Sequence, residues 1–131
     1  MAVRMASDPQ SLTKFLNVDL DLRGDGLEEL LRFLGSSVVV MHQTAHELVL
    51  ELFSRVNDPL DETLAKWVEL IQSLPEPGRA IWNRCELRSM NIGIQSAEKP
   101  YSALFTIPSS RVSQLASLQA EIVVTVYAPI E

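Results

Sequence analysis

Two histidines four residues apart, His42 and His46, and a single cysteine, Cys85, near Arg84 and Arg88 are the side chains with the greatest chemical reach in this chain. On a helix, imidazoles at i and i+4 can share one zinc ion. The His-Glu-x-x-His pattern fails here, because Leu50 stands where the second histidine belongs. On a hairpin the pair would flank a short turn, and a metal would need a third ligand such as Glu47. The expectation is two turn histidines and no metal. The arginines could lower the Cys85 thiol pKa, but a cysteine nucleophile also wants a histidine base, and neither histidine is close in sequence. A buried, inert cysteine is expected.

The acid-rich stretch NVDLDLRGDGLEE, residues 17–29, raises the question of a cation loop. A calcium loop starting at Asp19 would need oxygen ligands at its fifth and twelfth positions, where Arg23 and Leu30 stand. An arginine cannot serve as a ligand. Phosphate-cradling glycine motifs and the nucleophile elbow are both missing. Paired acids such as Glu28-Glu29 and Asp61-Glu62 fall in first turns of helices, where they favour the helix dipole. No catalytic residue and no cofactor is predicted, and the chain reads as non-enzymatic.

These residues need a scaffold, and the totals describe an ordinary one. The chain has 131 residues, 47% apolar and 21% charged, consistent with one globular domain over 14–131 and a loose N-terminal arm over 1–13. Nothing approaches the roughly 18–20 apolar residues of a membrane span, and no long apolar run follows Arg4 as in a secretory signal. One cysteine suits a reducing compartment, so a cytoplasmic protein is expected. The net charge of −6, with scattered basic residues, argues against nucleic acid and leaves a basic protein partner open.

Strict alternation from Leu16 to Leu22 predicts a half-buried strand, and Leu27, Leu30, Leu31 and Leu34 a helix capped by Asp25 and closed by Gly35. Residues 36–56 fit either a hairpin, Val38–His42 and Glu47–Phe53, or a helix. The β-branched run favours the hairpin. Leu60, Leu64, Trp67, Ile71 and Leu74 mark a helix capped by Asp58, and a short helix from Arg79 to Cys85 should follow. LRSMNIGIQS and YSALFTIP read as two strands, Ser109 or Ser110 starts a helix, and EIVVTVYAP closes the chain as a strand. The order β-α-β-β-α-β-β-α-β predicts an α+β fold, a mainly antiparallel sheet of about six strands with helices on one face.

If the helices cover Leu16, Val18, Leu20, Val40, Leu50, Ile92, Phe105 and Val124, the other face carries Val39, Met41, Val49, Phe53, Leu104, Val123 and Tyr127 among polar residues. That much apolar area suits an interface. Val39, Phe53, Asn91, Gln95, Leu104 and Tyr127 are therefore the candidate contacts, for a homodimer or for another protein. The alternative is a small-molecule pocket between the sheet and the Trp82 helix, using Trp82, Arg88 and His42.

The strings FLNVDLDL, LPEPGRAIWNRCELRSMNIGIQS and IVVTVYAP, from Phe15 to Pro129, resemble a family of small bacterial proteins of unknown function. The segment order is also loosely similar to α+β proteins suspected of serving as immunity proteins against toxins. That resemblance implies a binding protein and transfers no site residue.

Overall fold

A computed structural model describes residues 12–53, 58–99 and 101–129. The expected arm lies largely outside these residues. Leu12 bridges to Lys99, and the Thr13 amide donates to the Lys99 carbonyl at 2.7 Å.

The fold is α+β, with five strands in one mixed sheet and four α-helices among the described residues. The strands are β1 (Lys14–Arg23), β2 (Val38–Gln43), β3 (Glu47–Leu52), β4 (Leu87–Gln95) and β5 (Glu121–Tyr127). The helices are α1 (Leu27–Leu34), α2 (Leu60–Gln72), α3 (Glu76–Arg84) and α4 (Ser109–Ser117). Spatial order is β2-β3-β1-β4-β5, antiparallel except for the parallel β4–β5 pair.

The expectation of about six mainly antiparallel strands is thus corrected to five. YSALFTIP forms no strand, and residues 101–108 reach α4 without regular structure. The free edge of β4 is taken instead by β5, and a parallel partner needs a crossover, which α4 supplies. Residues 38–52 do form the hairpin.

Period two sends Val18, Leu20 and Leu22 of β1 to the same side as Leu48, Leu50 and Leu52 of β3 and Met90, Ile92 and Ile94 of β4, all buried. Helix α2 lays Leu60, Leu64, Trp67, Val68 and Ile71 on this face, the 3.6-residue stripe that its sequence shows. Trp67 Nε1 donates to the Val18 carbonyl at 3.1 Å and Trp82 Nε1 to that of Leu118 at 2.9 Å, so both buried indoles are satisfied.

Several local expectations differ. Leu16 is the extra residue of a bulge between Phe15 and Asn17, and Phe15 takes its place against the core. Asp25 does not cap α1. Gly26 does so in a left-handed conformation (φ 78), and Asp25 meets His46 instead. Pro59 rather than Asp58 is the N-cap of α2, and Asp58 pairs with Lys66. Helix α3 starts at Glu76, earlier than Arg79, because Pro75 and Pro77 are accommodated at its first turn.

Candidate functional site

The uncovered face of the sheet begins with the odd-numbered residues of β1, Asn17, Asp19, Asp21 and Arg23, which alternate with the core leucines. Directly opposed residues share a face, so Asn91, Ser89 and Gly93 of β4 and Val49 of β3 join them. The centre of this face is a hydrogen-bonded polar network. Asn17 Nδ2 donates to Asp19 Oδ1 at 3.1 Å and to Glu51 Oε2 at 2.8 Å, and Thr125 Oγ1 donates to Asn91 Oδ1 at 2.8 Å. Burial pushes the Asp21 carboxyl pKa up, and a hydrogen bond from Asn91 opposes that shift.

Apolar side chains stand at the two edges of this face. Val39 belongs to β2 and Tyr127 to β5, at opposite ends of the sheet, about 19 Å apart at the usual strand spacing. They do not form one patch. Leu104 lies in the 101–108 connection, 91% exposed and outside the sheet. Phe53 follows β3 and lines a groove of about 510 Å³ with Lys66, Glu69 and Leu70 of α2, on the helix side. Asn91 and Gln95 are engaged within the chain: Gln95 Nε2 donates to the Ala128 carbonyl at 2.7 Å, and Asn91 holds Thr125. Both amides stitch β5 to β4.

The pocket alternative does not assemble either. Trp82 is 1% exposed beneath the helix layer. Arg88 donates to the carbonyls of Trp82, Cys85 and Gln119. His42 pairs with Val49 and lies on the other side of the sheet, lining a depression of about 390 Å³ with Asp21, Arg23 and Glu47. His42 Nε2 is 3.5 Å from Glu47 Oε1, and His46 Nδ1 is 3.0 Å from Asp25 Oδ1. Among the described residues no three of His, Cys, Asp or Glu are grouped to hold a metal ion. Cys85 is buried, its Sγ 3.4 Å from the Ile81 carbonyl, and burial raises its pKa more than Arg88 and Arg84 lower it. A thiol held protonated is a poor nucleophile.

What remains is β5. Its sequence EIVVTVY has one charge and no proline or basic residue. Ile122 and Val126 lie on the core side, opposite Met90 and Ile94, yet are 38% and 61% exposed; Val124 beside Ile92 is 57% exposed. Helix α4 packs toward the core and α2 and leaves these side chains exposed. Leu115 and Leu118 insert into the core, and Arg111 Nε meets Asp61 Oδ1 of α2 at 2.8 Å. Among the described residues no strand pairs with the outer backbone edge of β5 either. The Ser96 amide donates to the Tyr127 carbonyl, which fixes the ladder phase: Val123, Thr125 and Tyr127 bond to β4, and Ile122, Val124 and Val126 direct their N–H and C=O outward. Sequence reasoning placed Val124 on the helix-covered face; it does lie on that side, beside Ile92, but at the sheet edge, where it stays exposed.

The other edge, β2, is blunted. A bulge interrupts its register between Val40 and His42, although Val39, Val40 and Met41 are exposed. Among the described residues no helix is long and apolar enough to cross a membrane. No family model, no curated protein and no solved structure matches the chain.

Proposed function

We propose that this chain is a non-enzymatic protein-interaction module whose docking element is the outer edge of β5, rather than the polar centre of the open sheet face. The observation that carries the reading is the exposure of Val124 and Val126 on an edge strand with outward backbone groups. Edge strands of that kind are templates for a partner strand, with main-chain hydrogen bonds supplying affinity and alternate side chains supplying specificity. Complete burial of a valine or isoleucine contributes about 1.5–3 kcal/mol before association costs, so a few such side chains can carry a contact. Asn91 and Gln95 act as supports that hold β5 in place, and Tyr127 is a contact at the strand end.

The test is a photo-reactive amino acid at Val124, with one at Glu62 on the exposed side of α2 as the control. The expected result is a covalent adduct to a protein from Val124 alone. Equal labelling from both positions, or none from Val124, would remove the reading.

A further inference from the structure

Resting on the β5 docking reading, we infer that the strand that occupies this edge is β5 of a second copy of the chain, antiparallel about a two-fold axis through Val124. The strand is close to palindromic in shape about that residue. Val123 and Thr125 are near-isosteric, Ile122 and Val126 are both β-branched and apolar, and Glu121 and Tyr127 end the strand. A two-fold axis at Val124 sets Ile122 opposite the partner's Val126, Val123 opposite Thr125, and Val124 opposite itself. Glu121 then faces Tyr127 rather than a second Glu121, so no like charges oppose each other.

The same axis uses every outward backbone group. Ile122, Val124 and Val126 become the hydrogen-bonded pairs, giving about six main-chain bonds across the seam. An axis through Val123 would leave Val126 without a partner. The core-side valines and isoleucines of the two copies would meet beyond the helix roofs, where each is exposed in the single chain. Pairing β5 with the β2 edge of another copy would be head-to-tail and would build a filament, and the β2 bulge opposes it. A seven-residue strand makes a short seam, so the association is expected to be weak and to depend on protein concentration.

Val124→Pro is the informative variant, because the N–H it removes points outward, away from β4, and proline is tolerated on an edge strand facing solvent. Light scattering of the full chain should give a dimer mass at high micromolar concentration. Val124→Pro should dimerise at least ~10-fold more weakly, with an unchanged melting temperature, and Val124→Lys should do the same without a backbone change. Register is read by oxidation. Val123→Cys and Thr125→Cys chains should join when mixed and neither should join to itself, since position 123 of one copy faces position 125, and not position 123, of the other at about 4.5 Å between Cα atoms. The wild type, with buried Cys85 alone, should not crosslink. Monomers at every concentration would overturn the second copy while leaving the docking reading intact if Val124 still labels another protein. Failure of both would remove the reading itself. A dimer insensitive to both Val124 variants, or growth into filaments, would also overturn the inference.

Discussion

Asp21 sits on a face that period two turns away from the core, yet its neighbours partly bury it, and its pKa is raised by that burial despite the opposing hydrogen bond from Asn91. The folded chain therefore keeps this proton to a higher pH than the unfolded chain does. The stability linked to Asp21 is full below the ordinary aspartate value of about 3.9 and is lost as pH rises through the raised folded value. Asp21→Asn, which mimics the protonated form, should melt higher than wild type near neutral pH and equally in strong acid. A higher melt that persists in strong acid would mean that charge is not the cause. Trp82 makes the opposite point, as a side chain whose polar atom is fully used. Trp82→Phe leaves the buried Leu118 carbonyl without its donor and should cost about 1–3 kcal/mol in denaturant unfolding. Gly93 is a third case. A Cβ there would meet Asn17 Oδ1 at 3.1 Å and the Tyr127 ring at 3.6 Å, so the open face is close-packed around it.

Strands and helices are where the sequence pattern and the structure part company. The alternation in 16–22, the hairpin at 38–52 and the α2 stripe are local signals, and each element formed where its period placed it. The six-strand expectation failed at residues 101–108, which form no strand, because β5 and not this segment takes the free side of β4. Three contacts far apart in sequence then hold α4 and β5 in place. Arg111 reaches Asp61 on α2, and Asn91 and Gln95 hold β5 from β4. Arg111→Met should cost no more than about 1 kcal/mol, as the pair is partly solvated. Asn91→Ala should accelerate amide exchange at Val123 and Thr125 while leaving Leu20 and Leu50 protected; uniform acceleration would show that Asn91 supports the whole sheet instead.

For the molecule as a whole, the −6 charge separates two kinds of partner. Two copies of an acidic chain repel at long range, and salt screens that repulsion over a Debye length of about 8 Å at physiological ionic strength. Self-association along β5 should therefore strengthen as salt is added. Binding to a basic protein, the partner that an immunity-type role would require, should weaken under the same titration. A dimer that dissociates with salt would place its contacts on charged surfaces and away from Ile122, Val124 and Val126.

Composition and period alone were enough to establish the α+β class, the helix stripes and the polar row on β1, because each follows from side-chain direction over a few residues; over 36–56 they favoured a hairpin without deciding against a helix. Those same signals could not say that Val124 lies at an edge, that Val39 and Tyr127 stand at opposite ends of the sheet, or that Phe53 and Leu104 leave it. A strand's period states which residues share a side; what lies across that side depends on pairings dozens of residues away. Here the parallel β4–β5 junction and the Arg111–Asp61 tie between α4 and α2 made that decision, and a residue expected beneath the helices, Val124, stands at the exposed rim of the sheet.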